Sequence, residues 1–299
     1  MEEKPIVLIV DDVEQNVQIL ARVLNNDYDI KTATNGQRAL ELIRKKPYPD
    51  LILLDVNMPV MGGYEVLKEL QVDSAHEMFP VIFITSNDTE ANEEEGLRLG
   101  AVDYIKKPIR PAIVKARVKT HITLKKQRDK LLFDAVHDQL TGLYNRKHLI
   151  DEGERKFSRA FRQDDKLSLI MVDIDHFKAI NDTYGHLVGD KVLIQIATVL
   201  ACDNRYEDFS ARFGGEEFIV VLDGCSADSA KMKAERFRKK IEALKPCNVE
   251  VTASFGICEL THKHMNLDAL LKDVDMALYG AKESGRNCSV ILKDGELLA

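Results

Sequence analysis

Ile6-Val7-Leu8-Ile9-Val10-Asp11-Asp12 is an apolar run that stops on two carboxylates, and the pattern recurs along the chain. Leu51-Ile52-Leu53-Leu54 stops on Asp55, and Val81-Ile82-Phe83-Ile84 stops on Thr85. A run with no polar alternation is buried on both faces, which is the condition of a strand in a parallel sheet. Helical spacing fills the gaps, as in Val17 to Leu24 and Ala39 to Ile43. This alternation predicts an α/β doubly wound, flavodoxin-like domain over residues 1–109. The binding crevice of such a sheet lies beyond the carboxyl ends of its strands, and that is where the acids stand.

Outward from that domain, residues 110–138 read as one long helix with its single proline, Pro111, in the first turn, where proline is tolerated. A seam at 3/4 spacing runs Val114, Arg117, His121, Leu124, Arg128, Leu131, Ala135. It is half polar, so a coiled coil built on it is expected to be weak. The stretch is also basic, and a solvated helix face is expected rather than binding to nucleic acid. Residues 139–299 mix strands and helices. Strands are expected near 167–173, 207–213, 217–222, 249–258 and 288–292, with a hairpin tip at Gly214-Gly215. That pattern predicts an α+β domain with a partly antiparallel sheet.

Composition limits the function classes. The 299 residues are 45% apolar and 30% charged, with a formal net charge of -7, so no global field draws in nucleic acid or anionic membrane. No apolar run is long enough to span a bilayer, and Met1-Glu-Glu-Lys-Pro5 lacks the apolar core of a signal peptide. The five cysteines are odd in number and form no CxxC pair, which fits reduced thiols and a cytoplasmic setting.

Two groups of residues carry chemistry. Asp11, Asp12 and Asp55 at one sheet edge repel each other unless a cation joins them, and Mg²⁺ takes one or two carboxylates plus water and phosphate oxygens. Lys107 and the Thr85 hydroxyl reach the same edge, and the set suits formation of an aspartyl phosphate. In the second domain, alternation puts Asp173 and Asp175 on one face of a strand. The Gly-Gly tip brings Glu216 and Glu217, and the missing side chains leave room for a nucleotide. Asp173 and Glu216 suit two Mg²⁺ in an attack of a 3′-hydroxyl on an α-phosphorus. Lys178, Lys282 and Arg286 are the candidate cations for a triphosphate, and Asn181 with Asp190 can read a guanine edge.

Residues 4–125 resemble the receiver domain of two-component response regulators, through Asp11-Asp12, Asp55-Val-Asn57-Met-Pro59, Thr85-Ser86 and Tyr104-Ile-Lys-Lys107-Pro108. The resemblance implies that Asp55 is the phosphoacceptor and that Asp11, Asp12, Asp55 and the Asn57 carbonyl hold one Mg²⁺. It implies that Thr85 and Lys107 bind the phosphoryl group, that Tyr104 is the switch aromatic, and that a sensor histidine kinase is the partner. Residues 137–292 resemble the GGDEF family of diguanylate cyclases, with a nucleotidyl cyclase/polymerase-palm-like fold. The carriers are Asp138-Gln-Leu-Thr-Gly-Leu-Tyr-Asn-Arg146, Asp173-Ile-Asp-His-Phe-Lys-Ala-Ile-Asn181-Asp182, Gly185-His-Leu-Val-Gly-Asp190, Arg212-Phe-Gly-Gly-Glu-Glu-Phe218 and Ala281-Lys-Glu-Ser-Gly-Arg-Asn287.

That second resemblance implies two Mg²⁺ on Asp173, the Ile174 carbonyl and Glu216, with Phe177 and Lys178 near the phosphates. Asn181 and Asp190 then recognise guanine, Lys282 and Arg286 bind phosphates, and Glu217 acts at the ribose end. Position 216 carries Glu where the family name has Asp, and the carboxylate is kept. Arg205-Tyr-Glu-Asp208 resembles the family's RxxD inhibitory site for cyclic di-GMP, and Arg236 is a further candidate ligand there. The expected protein is a homodimer converting two GTP to cyclic di-GMP and two pyrophosphate under phosphorylation control. Two other readings stand beside it: a domain that only senses GTP or cyclic di-GMP, and an adaptor acting through the basic linker.

Overall fold

Five parallel strands form the first sheet, in the order β2-β1-β3-β4-β5. They are β1 (Ile6–Val10), β2 (Asp29–Ala33), β3 (Leu51–Asp55), β4 (Val81–Thr85) and β5 (Asp103–Lys106). The structure is a computed structural model that describes residues 4–72, 79–86, 94 and 96–298. Helices α1 (Glu14–Leu24), α2 (Gly36–Ile43), α3 (Gly63–Val72) and α4 (Pro111–Val136) belong to this half of the chain. Alternate strand residues feed two cores. Val7, Ile9, Leu51, Leu53, Ile82 and Ile84 pack on α1 and the first turns of α4. Leu8, Val10, Ile52, Leu54 and Phe83 pack on α2 and α3. Burial on both faces is what the unbroken apolar runs require, and the doubly wound fold stands.

Two details of the expected helix differ. It spans Pro111–Val136, and its buried face, Val114, Val118 and Ile122, shares only Val114 with the half-polar seam. Arg117 and His121 of that seam both bond to the Asp103 carboxylate of β5. Lys125 is likewise ion-paired to Asp50 and Asp129, at 3.1 and 2.7 Å. Two cations of the basic stretch, Arg117 and Lys125, are therefore engaged by carboxylates of their own half. The chain divides into two compact units inside this helix, between Leu131 and Leu132.

The second unit holds a six-stranded sheet in the order β11-β10-β9-β6-β8-β7. Its strands are β6 (Leu167–Ile174), β7 (Phe209–Gly214), β8 (Glu217–Asp223), β9 (Ala253–Glu259), β10 (Ser289–Lys293) and β11 (Glu296–Leu298). Pairing is antiparallel except between β9 and β10. One face carries α6 (Phe177–Tyr184), α7 (His186–Ala201) and α8 (Ala227–Leu244), and the other carries α5 (Arg146–Gln163) and α9 (Leu267–Glu283). This is the α+β arrangement expected. Strand β9 starts four residues later than its apolar pattern suggests, and a 3₁₀ turn with Cys247 at positive φ occupies Pro246–Asn248 ahead of it. Among the described residues, no helix is long and apolar enough to cross a membrane.

Gly256 sets the packing of the second unit. A Cβ there would stand 2.2 Å from the backbone nitrogen of Leu278, so only glycine lets α9 lie this close to β9. That approach brings the last turn of α9, with Lys282, over the end of β6.

Candidate functional site

In the first unit, β1 and β3 deliver Asp11 and Asp55 to one edge, both buried. Lys107 Nζ donates to Asp11 Oδ2 at 3.0 Å and to Asp55 Oδ2 at 2.9 Å. Asp11 is fixed further by the Val13 N–H and by the Asn16 amide. Asp55 Oδ1 is buried and has no hydrogen-bond partner among the described residues. Burial pushes the Asp55 carboxyl above its ordinary range, and the nearby Asp11 charge adds to this against the pull of Lys107. One oxygen each of Asp11, Asp12 and Asp55 lies within 4.8 Å of the others. An orphaned buried oxygen beside two more carboxylates is the donor set of a hard divalent cation, so the residues fit Mg²⁺.

The other predicted residues of this edge fall around it. Thr85 ends β4 and is buried, and the Asn57 side chain is exposed two residues past Asp55. Tyr104 points inward. Its hydroxyl is 3.2 Å from that of Tyr64, and its ring lies 5.4 Å from Phe83.

In the second unit, β6 runs antiparallel to β8 with Asp173 directly opposite Glu217. Residues 167, 169, 171 and 173 of β6 face α5 and α9, so Asp173 emerges on the side where α9 ends. Lys282 Nζ lies 2.9 Å from Asp173 Oδ2. Burial raises the Asp173 carboxyl, and the charges of Glu216 and Asp175 add to it while Lys282 opposes. Glu217 is raised too, by burial and then by Asp173. Carboxylates that raise one another in this way fit a bound cation. Among the described residues, however, Asp173, Glu216 and Glu217 do not gather around one point as Asp11, Asp12 and Asp55 do.

The hairpin tip is built for access. Gly215 has φ +51°, and no atom lies within 4 Å of where a Cβ would stand on Gly214 or Gly215. Arg212 holds the tip from below: Nε and Nη2 both donate to the Gly215 carbonyl, and Nη1 donates to Asp138 at 3.1 Å. Asp138 and Arg212 are 74 residues apart, and no local signal in the sequence pairs them.

Asp175 differs from the sequence reading. It lies past the end of β6, buried, and accepts from Thr252, Ser254 and the Asn287 N–H at 2.7, 2.6 and 3.1 Å. Its work is to tie the Gly285-Arg286-Asn287 turn to the sheet. Arg286 is thereby held exposed at φ +65° beside the end of α9. Phe177 is buried at the start of α6, Lys178 is exposed next to it, and the Ile174 side chain is in the core. Gly189 on α7 makes room for Asn181, whose Oδ1 lies 2.0 Å from the place a Cβ would take. Asn181 is thus packed against the turn that carries Asp190.

Arg205, Asp208 and Arg236 line one cavity of about 640 Å³. Arg205 is exposed, while the Asp208 side chain is nearly buried and bonded to Lys233 Nζ at 2.9 Å. Asp208 Oδ1 also accepts from the Asp223 N–H. Arg236 pairs with Asp203 at 3.3 Å. Lys233 was missed in the sequence, yet it interrupts the buried stripe Ala227, Ala230, Ala234, Phe237, Ile241, and a lysine on an apolar stripe is a readable signal.

Comparison with known proteins agrees with both halves. Residues 135–288 match the family described as diguanylate cyclase, GGDEF domain, and residues 7–119 match the response regulator receiver domain. The response regulator PleD of Caulobacter vibrioides is 34% identical over 298 residues, covering 95% of this chain and 65% of PleD. The diguanylate cyclase DgcP of Pseudomonas aeruginosa is 42% identical over 171 residues, 56% of this chain and 25% of DgcP. This chain therefore spans less than two thirds of the length of either relative. The solved coiled coil and GGDEF domain of DgcB from Caulobacter crescentus, in complex with c-di-GMP, is 30% identical with a TM-score of 0.53. It covers 60% of this chain and 96% of that one. The chain belongs to the GGDEF family and carries a response regulator receiver domain ahead of its GGDEF domain.

Proposed function

We propose that this protein is a phosphorylation-regulated diguanylate cyclase, condensing two GTP into cyclic di-GMP and two pyrophosphate. The observation that carries this is the meeting of Asp173, Glu217 and Lys282 under an unobstructed Gly214-Gly215 tip. The Lys282 ammonium, with Lys178 and Arg286, neutralises the triphosphate, and Asn181 and Asp190 orient the guanine. Glu217, raised by burial, is suited to accept the proton of the attacking 3′-hydroxyl. The new O–P bond forms at the α-phosphorus of the facing GTP as its bond to pyrophosphate breaks, and a second such step closes the ring. Asp173, Glu216 and the Ile174 carbonyl would hold two Mg²⁺ per site, which would supply charge neutralisation at the α-phosphate and the leaving group.

Each GGDEF domain holds one GTP, so the ring requires two copies facing each other, and the active form is a homodimer. Leu124 and Leu131, seven residues apart and exposed on α4, suit pairing with a second copy. Cyclic di-GMP inhibits at the cavity of Arg205, Asp208 and Arg236, its guanine and phosphates meeting the guanidinium groups. Asp55 accepts a phosphoryl group from a sensor histidine kinase, with one Mg²⁺ on Asp11, Asp12, Asp55 and the Asn57 carbonyl. Thr85 and Lys107 bind that phosphoryl group, and Tyr104 reports its arrival. The setting is cytoplasmic, without membrane or nucleic-acid partners.

Incubation of the purified chain with GTP and Mg²⁺, followed by identification of the nucleotide product, tests the reading. Cyclic di-GMP is expected, and Glu216→Ala should lower its formation by at least about a hundredfold, the scale for losing one group that stabilises developing charge. Tight GTP binding with no product would sink the assignment.

A further inference from the structure

Cys258, His264 and Asp273 form a second cluster in the GGDEF domain, at the end of β9 remote from Asp173. Cys258 lies near the end of β9, His264 in the loop that follows and Asp273 on α9. One ligand atom of each lies within 4.8 Å of the others, and Cys258 and His264 are buried. His264 Nε2 is 3.9 Å from Cys258 Sγ and 3.1 Å from Asp273 Oδ2.

The shared nitrogen decides what the cluster can do. A nucleophile triad needs the thiol and the carboxylate on opposite ring nitrogens, so that the carboxylate orients the base. Here both face Nε2, which rules out that relay. Convergence on one nitrogen is instead what a metal ion requires. For a tetrahedral ion with Zn–S of about 2.3 Å and Zn–N and Zn–O of about 2.0 Å, the S···N and N···O edges come to about 3.6 and 3.3 Å. The observed separations sit within a few tenths of an ångström of both. The other ring nitrogen, Nδ1, is surrounded by Thr261. The Thr261 N–H donates to Nδ1 at 3.0 Å, and the Thr261 hydroxyl and carbonyl lie 3.2 and 3.3 Å away, so a metal on Nε2 requires Nδ1 to exchange that N–H for one of the two acceptors. A cavity of about 410 Å³ opens on Cys258, His264 and Asp273, giving an ion and a water access to the fourth position.

We propose that Cys258, His264 and Asp273 form a binding site for a divalent transition ion of the zinc class, with a fourth position open to solvent. Sulfur, imidazole and carboxylate donors favour that class over Mg²⁺, which seeks oxygen alone. The ion joins the end of β9 to α9. Asp273 and Lys282 are nine residues apart on one helix, so the metal fastens α9 about 14 Å from its catalytic end.

The test uses the full chain in excess Mg²⁺, which occupies the oxygen-donor sites, titrated with Co²⁺. A thiolate-to-cobalt charge-transfer band saturating at one equivalent and displaced by Zn²⁺ is expected. Cys258→Ala should abolish it, and Asp273→Asn, which weakens a direct ligand, should lower Co²⁺ affinity by at least roughly 10- to 100-fold, the loss that disturbing even a supporting partner brings. No band, or a band unchanged in Cys258→Ala and so due to other thiols, overturns the proposal. Should Cys258→Ala not fold, by circular dichroism, Asp273→Asn decides alone, and unaltered Co²⁺ affinity there overturns it. None of these readouts depends on cyclase activity.

Discussion

Arg205 and Asp208 stand three residues apart in one motif, yet their surroundings separate them. Arg205 is exposed, so Arg205→Ala should leave stability within about 0.5 kcal/mol, as for ordinary surface changes. It should also relieve inhibition by cyclic di-GMP, and inhibition curves that do not move would exclude this cavity as the product site. Asp208→Ala instead leaves Lys233 as a nearly buried ammonium without its carboxylate and orphans the Asp223 N–H. A loss of about 3–5 kcal/mol is expected from denaturant unfolding, the range for breaking a buried pair. Loss of inhibition in that variant would therefore report unfolding as much as binding. Gly189 offers a cleaner probe of guanine recognition. Gly189→Ala places a methyl group where Asn181 Oδ1 now sits, within an otherwise ordinary helix position. The GTP KM should rise roughly tenfold, the loss of about one hydrogen bond, while thermal melting changes little. A KM that stays put would mean Asn181 does not touch the base.

At the level of elements, the strand ends carry the charge. Asp55, Asp173 and Glu217 all have carboxyls raised above their ordinary values, burial first among the causes. A raised acid favours the folded state below its unfolded pKa of about 4 and gives up that contribution as pH rises through the folded value. Without divalent ions, these groups should make each unit less stable at pH 7 than at pH 5. Added Mg²⁺ should raise the melting temperature at pH 7 and do little at pH 4. Equal shifts at both values would show that these carboxylates do not bind it. The strands bearing these acids were legible because complete burial leaves an unbroken apolar run ending on a charge. Strands β2 and β11 were not, since each lies at a sheet edge and keeps polar residues such as Asp29, Lys31 and Glu296. The buried face of α4 was not legible either. Val114, Val118 and Ile122 compete with a second seam at the same spacing, and only the sheet they pack on selects between them. In the site, Asp173, Glu216 and Lys282 could be read from motifs. The Arg212–Asp138 clasp and the close crossing of α9 at Gly256 could not, because each depends on residues distant in sequence.

For the whole molecule, the proposed control requires a phosphoryl group on Asp55 to alter chemistry at Asp173, although the two residues belong to different compact units. The chain between them is helical across the division, since α4 runs unbroken from Pro111 to Val136. Its first turns are seated by Val114, Val118 and Ile122 and clamped through Arg117 and His121 to Asp103 on β5. Asp103 lies next to Tyr104 and four residues before Lys107, so β5 connects the pocket of Asp11, Asp55 and Lys107 to the helix seat. Lys107 bridges two carboxylates, and a phosphoryl group on Asp55 changes what its ammonium must neutralise. A change in β5 is therefore positioned to alter how α4 is presented to a second copy, where Leu124 and Leu131 are exposed. Beryllium fluoride, as a phosphoryl mimic, should raise both the solution mass towards the dimer and the cyclase rate. The rise in rate should fall between about 5- and 150-fold, the span of ordinary coupling energies. Asp55→Asn should show the same rate with and without the mimic. A mimic that drives dimerisation but leaves the rate untouched would separate assembly from activation, and place control beyond pairing of the chains. A rate unaffected by the mimic at any protein concentration would remove the receiver domain from control of the cyclase altogether.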